Sequence, residues 1–365
     1  MKLFRLLLER RTSAGVALLL LYLIVLVTGW TFWPKAFFHG YWFALMFWMQ
    51  LTIGAWIVLL LQELTGGEWG HVAAPYLRTA SSGIFILAPL FLLPLLALPH
   101  IFSWTTITPG VSAATLVNKQ PWLNSTAFTI RTVFYLALLV AMIRLRRHPK
   151  LSAFAGPMLL LTVILFSFYS ADWMMSLQPT FYSSLYPFMY FSGSLVAIFS
   201  LICATASWLQ LKGFAPRDPD VLLAYGKLLF ASVLFWGYIV FAQFIIIWTG
   251  NLPDEAEWYV VRSEPAWLWF TLLVLACHFA IPFCLLLSQS LKKDARQLFA
   301  VAAPLFGMHF LEIFWLMRPT PGEGFLLTPF DFLMPLFFGV VWLWFVLNAG
   351  ESVAESPLPQ VAHET

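Results

Sequence analysis

Apolar runs of about 20 residues, the length a helix needs to cross a hydrocarbon core about 30 Å thick, recur from Val16 to Leu347 with short polar breaks. The pattern predicts ten spans: Val16 to Trp33, Tyr41 to Leu61, Gly83 to Phe102, Ala127 to Ile143, Ala153 to Asp172, Leu185 to Leu209, Leu222 to Thr249, Trp267 to Leu287, Leu298 to Met317 and Phe330 to Leu347. No soluble domain fits between them. Met1 to Trp33 starts like a signal peptide, but its apolar run is long and lacks a small-residue cleavage site, so it reads as a retained first span. Pro89, Pro94, Pro157, Pro282 and Pro304 fall inside spans and predict kinks, which neighbouring helices in a membrane can tolerate.

Connectivity groups residues 34–184 and 185–317 as two antiparallel four-helix bundles, with 1–33 and 330–347 as flanking helices. The expected fold class is all-α integral membrane, one membrane domain of ten transmembrane helices. Four spans per bundle would make any internal repeat parallel. The two halves share no convincing sequence identity.

Charge sets the orientation. With the N-terminus inside, only Lys35, Lys119, Arg131, Arg262 and Arg318 of the 20 Lys and Arg fall toward the far side. Lys2, Arg5, Arg10, Arg11, Arg78, Arg144, Arg146, Arg147 and Lys150 all take the cytoplasmic side, as do Lys212, Arg217, Lys227, Lys292, Lys293 and Arg296. This positive-inside asymmetry suits an even number of spans and places both termini in the cytoplasm. Trp30, Trp33, Trp104, Trp122, Trp173, Trp248, Trp258 and Trp267 gather near outer span ends, as an interfacial belt would.

Composition agrees: 10% of residues are charged and 61% hydrophobic, against about a quarter charged in a soluble domain. The basic residues lie at span ends rather than in one patch, which argues against nucleic acid as a partner and leaves lipid as the surroundings. Cys203, Cys277 and Cys284 sit in apolar stretches without a C-x-x-C motif, so they read as small buried hydrophobes and no metal is assigned.

Ionisable groups in hydrocarbon cost a few kcal/mol, so each needs a partner or a water-filled path. Near the outer ends of spans three to five stand His100, Arg131, Tyr169 and Asp172. A carboxylate, an imidazole and a phenol around a cavity would serve quinol oxidation, in which two protons leave with two electrons. The same residues equally suit an Arg131 to Asp172 ion pair that ties helices together. A deeper group comprises His278 in span eight with His309 and Glu312 in span nine, the last two on one helix face at i and i+3. These resemble a proton relay, with Lys227 toward the cytoplasmic end of span seven and Arg318 at the outer end of span nine; a packing contact is the plainer alternative. A b-type haem held by His278 and His309 is not favoured over the relay by the spacing. Two connecting segments add little chemistry. Asn251 to Glu264 is an acidic outer loop around Arg262, and Gly66 to Arg78 is polar with an aromatic and small-residue face, as an interfacial helix would be.

Two stretches carry more than hydrophobicity. One reads Ser170-Ala-Asp172-Trp173-Met-Met-Ser176-Leu177-Gln-Pro179 and continues through Ser183 and Ser184 to Tyr186. The other runs from Gly226-Lys227 through Phe235-Trp236-Gly-Tyr238, Phe241-Ala-Gln243 and Ile247-Trp248-Thr-Gly-Asn251-Leu-Pro253 to Trp258-Tyr259. Together they resemble the NrfD-like (polysulfide reductase membrane subunit) family, and most narrowly the second NrfD-like membrane subunit of alternative complex III, a bacterial quinol:cytochrome c oxidoreductase.

The resemblance runs over nearly all ten spans. It implies two four-helix bundles with two flanking helices in a bacterial inner membrane, no cofactor bound by this chain, and quinol or quinone as substrate of the complex. The implied partners are a sister NrfD-like membrane subunit, multihaem cytochrome c subunits carrying haem c, and an iron-sulfur protein carrying iron-sulfur clusters. The quinol pocket is implied most firmly for the sister subunit, which leaves quinol binding and proton conduction as competing roles here. Ala224-Tyr225 stands where relatives tend to place an acidic residue before Gly-Lys, a departure that weakens proton uptake through Lys227. The expectation is a respiratory oxidoreductase subunit contributing a quinol-facing cavity, a proton path or both; a stand-alone secondary transporter and a structural scaffold subunit are the rivals.

Overall fold

The computed structural model describes residues 11–106, 118–146, 154–251, 253–319 and 324–354. Lys2, Arg5, Arg10, Arg147 and Lys150 of the orientation argument lie outside the described residues, as does Ala153 at the expected start of span five. Among the described residues the fold is all-helical, with no strand.

In chain order the helices are α1 (Arg11–Phe32), α2 (Pro34–Thr65), α3 (Glu68–Ser81), α4 (Ile84–Leu90) and α5 (Leu92–Leu95). They continue with α6 (Ser125–Leu145), α7 (Ala155–Trp173), α8 (Tyr186–Leu211), α9 (Pro219–Gly250) and α10 (Pro253–Arg262). The last five are α11 (Pro265–Val274), α12 (Ile281–Leu286), α13 (Gln289–Lys293), α14 (Ala295–Met317) and α15 (Phe330–Ala354). Eight stretches of the described residues are long and apolar enough to cross a membrane; they begin at Pro34, Ala73, Ser125, Ala155, Tyr186, Pro219, Pro265 and Ala295. Shorter apolar helices, Tyr22–Phe32 and Phe330–Val346, flank them. The chain is a multi-pass membrane protein with eight candidate spans, which correspond to expected spans two to nine.

Local chemistry sets where these helices begin and end. Asn124 accepts from the Ala127 amide at 2.8 Å at the start of α6, and Asp294 from the Gln297 amide at 2.8 Å at the start of α14. At α9 the side chain of Asp218 accepts from the Val221 amide at 3.0 Å ahead of Pro219, which has no amide to satisfy there. The same helix ends on Asn251 at φ 47°, a left-handed position that Asn tolerates better than most residues.

Prolines account for two departures from the expected spans. The third was expected as one helix over Gly83 to Phe102; instead the apolar span is Ala73–Leu95, broken at Phe91 between α4 and α5, with short 3-10 turns at Leu98–His100 and Ser103–Thr106. Pro89, Pro94 and Pro99 each remove an amide donor from that stretch. The eighth span is interrupted by a π-helical turn at Leu275–Ala280. Pro282 offers no N–H to the carbonyl of His278 four residues back, so the regular ladder cannot close there.

The core is built around α2, whose most apolar window is 89% buried, whereas that of Pro265–Leu286 is only 17% buried and faces outward. Helices α3, α7, α8 and α15 pack against α2, while α8 also lies along α9 and α14. At Gly40 a Cβ would sit 2.7 Å from the backbone of Phe330, so glycine lets α2 and α15 touch main chain to main chain. Indole N–H groups bridge the helices: Trp42 donates to the Trp173 carbonyl at 2.8 Å, Trp56 to Thr162 at 3.0 Å and Trp342 to Thr52 at 2.8 Å. Without water nearby, such cross-helix bonds are the partners these donors need.

Several smaller expectations change. Gly66 to Arg78 is largely helix α3, whose second half enters a candidate span, and Tyr225 holds its start through a 3.0 Å bond to the Trp69 carbonyl. The acidic loop is mostly helix α10. Trp33 and Trp248 are exposed as belt residues should be, but Trp104, Trp173, Trp258 and Trp267 are buried, because each ring packs against other aromatic side chains inside the bundle. Cys203 is buried, Cys277 half-buried and Cys284 exposed, the last on the outward-facing α12.

Candidate functional site

The structure joins part of the first polar group and leaves the rest apart. Asp172, the next-to-last residue of α7, is fully buried and accepts from Arg131 twice, Nε to Oδ2 at 2.8 Å and a terminal nitrogen to Oδ1 at 2.9 Å. Trp122 Nε1 adds a bond to Oδ1 at 2.7 Å and the Tyr135 hydroxyl one to Oδ2 at 3.0 Å. The Arg131 guanidinium also stacks over the Trp122 ring at 4.1 Å. A carboxylate has about four lone-pair sites, and here four donors occupy them. His100 is not among the partners; it stacks on Phe38 with ring centroids 5.7 Å apart. Tyr169, one turn back on α7, stacks on Trp173 at 4.6 Å, and its buried hydroxyl has no protein partner. This geometry favours the helix-tying ion pair over a proton-accepting pocket.

The second polar group assembles in the middle of the membrane-spanning helices. His278, His309 and Glu312 are each 0% exposed. His309 Nδ1 lies 3.2 Å from Glu312 Oε2 across one turn of α14. The imidazole rings of His278 and His309 have centroids 6.1 Å apart, and one ligand-type atom from each of the three residues falls within 4.8 Å of the others. The π-helical turn carries His278 into the bundle, where its ring packs edge-on against Trp236 at 4.5 Å and both its nitrogens are buried without a protein partner.

Residues not singled out from the sequence complete this site. Trp236 Nε1 on α9 donates to Glu312 Oε1 at 3.2 Å. Gly193 on α8 makes room for the carboxylate: a Cβ there would lie 3.0 Å from Oε2 and 3.1 Å from Oε1. Gln50 of α2 faces the same glycine, donating its amide to the Tyr190 carbonyl while Oε1 is buried and unpartnered. Helices α8, α9 and α14 and the π-turn thus converge on one carboxylate, with Gln50 of α2 beside Gly193. Trp236 was visible in the family-like string, whereas nothing local marks Gly193 or Gln50.

Lys227 stands apart from this centre. It is exposed on α9, about 13 Å along the helix from Trp236 at 1.5 Å per residue. Its neighbour is Lys292 on α13, whose pKa is lowered first by burial and then by the Lys227 charge. Arg318 pairs with Asp331 at 2.8 Å, and Asp331 also accepts from the Thr328 amide and hydroxyl at 2.8 Å each. Both therefore lie outside the His278, His309 and Glu312 contacts.

Arg262 is the residue the sequence most misplaced. Expected in an acidic outer loop, it is 2% exposed, lies 3.5 Å over the Trp258 ring and donates to the Trp258, Trp315 and Leu316 carbonyls. Burial lowers its pKa to about 9, so it keeps its charge at neutral pH while covering the last carbonyls of α14.

No family model and no curated protein matches the chain.

Proposed function

We propose that this chain is an integral membrane subunit of a respiratory quinol:cytochrome c oxidoreductase of the alternative complex III type, and that its own contribution is a proton path through His309, Glu312 and His278. The observation that carries the proposal is the burial of those three proton-bearing groups at mid-span, where each has a cost that function must justify. The His309 imidazole and the Glu312 carboxylate approach to 3.2 Å without a hydrogen bond between them, so a reorientation of either side chain would bring them into position to pass a proton. The second imidazole extends the route into α11 and α12, and the π-turn that presents it is the kind of helix defect that recurs at functional sites.

The sequence strings at Ser170 to Tyr186 and Gly226 to Tyr259 support the redox assignment, and ten spans with cytoplasmic termini in a bacterial inner membrane follow from the same reading. The 34–184 and 185–317 bundles, and the flanking helices α1 and α15, belong to it as well. Quinol oxidation is assigned to the complex, with haem c and iron-sulfur clusters on partner subunits beside a sister membrane subunit. The four hydrogen bonds that fill the Asp172 carboxylate weigh against His100, Arg131, Tyr169 and Asp172 as a quinol pocket in this chain.

Affinity purification from native membranes tests the assignment. Co-isolation with multihaem cytochrome c and iron-sulfur proteins is expected. Isolation as a homo-oligomer that moves a solute by itself would overturn the assignment in favour of a transporter.

A further inference from the structure

We propose that His278, His309 and Glu312 also form a binding site for a divalent transition-metal ion of the zinc class, with two imidazoles and one carboxylate as ligands. Three observations lead to it. One ligand-type atom from each residue lies within 4.8 Å of the other two. The His309 Nδ1 to Glu312 Oε2 distance of 3.2 Å is already close to the ligand-to-ligand spacing of about 3.4 Å that bonds of 2.0–2.1 Å give in a tetrahedral site. Both nitrogens of His278 are buried without a protein partner, so either can serve as a ligand without breaking an existing bond.

The donor set is that of zinc chemistry in proteins, where two histidines and one glutamate leave a position open for a further ligand. Metal sites in helical bundles are built from inward-facing carboxylates and histidines on facing helices, often with a Glu and a His three residues apart on one helix; here the His comes first, at 309, and the Glu at 312. Trp236, bonded to Glu312 Oε1, then acts on the ligand from outside and fixes which oxygen faces the imidazoles.

A bound ion takes the lone pairs on which a proton would travel, so occupancy would close the proposed proton step. That consequence rests on the proton reading; metal retention does not.

The test uses the full-length protein, in the assembly with which it leaves the membrane, grown and equilibrated with Zn²⁺, desalted and analysed for zinc by mass spectrometry. About one ion per chain is expected, falling to less than about a tenth of that in His278→Ala and in Glu312→Gln, each lacking one ligand. Glu312→Gln keeps the side-chain shape, so it remains informative if His278→Ala fails to fold. Co²⁺ in place of zinc should give the visible bands of a tetrahedral site in the parent and none in either variant. No zinc above background in the parent, or equal zinc in parent and folded variants, overturns the site. Proton transport is measured separately on chelator-treated vesicles, so the metal site and the proton path can each fail alone.

Discussion

Replacing Asp172 by Asn removes one negative charge and puts an amide donor among four donors. Arg131, Trp122 and Tyr135 all aim at this fully buried carboxylate over 2.7 to 3.0 Å. Removing one partner of a fully buried ion pair costs about 3–5 kcal/mol. The Arg131 side chain is 16% exposed, so water takes up part of its abandoned charge and the expected loss is about 2–3 kcal/mol. Reversible unfolding of the purified protein measures the loss. A cycle with Arg131→Gln isolates the pair and should return a coupling of about 2 kcal/mol. If the pair is structural, quinol oxidation per assembled complex stays at the parental rate. Stability unchanged within about 0.5 kcal/mol, together with lost oxidation, would refute the structural assignment and return Asp172 to a quinol site.

Three further outcomes are expected. Gly193→Ala puts a methyl 3.0 Å from Glu312 Oε2, so it should shift the carboxylate and slow proton transport several-fold while leaving assembly intact, as read in reconstituted vesicles. Lys292 has a pKa lowered by burial and by Lys227, so its charged form costs stability at neutral pH and the cost fades as pH rises through the folded pKa; Lys292→Met should therefore stabilise the protein at neutral pH, and thermal unfolding should show that gain shrinking in alkali. A reporter fused after Asn251 should face the side opposite one fused at the C-terminus or after Lys150, since the charge asymmetry predicts cytoplasm for the latter two.

Expected spans two to nine were legible because hydrocarbon thickness imposes a length and an apolar composition that a single sequence displays directly. What broke the pattern was backbone chemistry: Pro89, Pro94 and Pro99 fragment a stretch whose hydropathy reads as one helix, and the π-turn before Pro282 is invisible to hydropathy. Within the sites, His309 and Glu312 could be paired because both lie on one helix at i and i+3, a local relation. His278, on another helix, could be matched only in depth, and the structure brings it into the same cluster. Gly193 and Gln50 belong to that cluster through tertiary packing alone. Tyr135 lies one helical turn beyond Arg131, a spacing that could have marked it as a further partner of Asp172; Trp122 lies in the connection ahead of α6 and was read as a belt residue. Arg262 was misjudged because its sequence neighbours are acidic, whereas its actual partners are carbonyls of α14 and its own helix.

Glu312→Gln tests the proton path most directly. The amide keeps the shape of the carboxylate and can still accept from Trp236, but it cannot carry a proton. Proton translocation and quinol oxidation are measured together in vesicles containing the assembled complex, parent against variant, after chelator treatment. The account predicts normal assembly with proton movement abolished rather than reduced in proportion, because the titrating step itself is gone. Parental rates of both processes in a fully assembled Glu312→Gln complex would contradict it and leave the buried His278, His309 and Glu312 group as a packing contact.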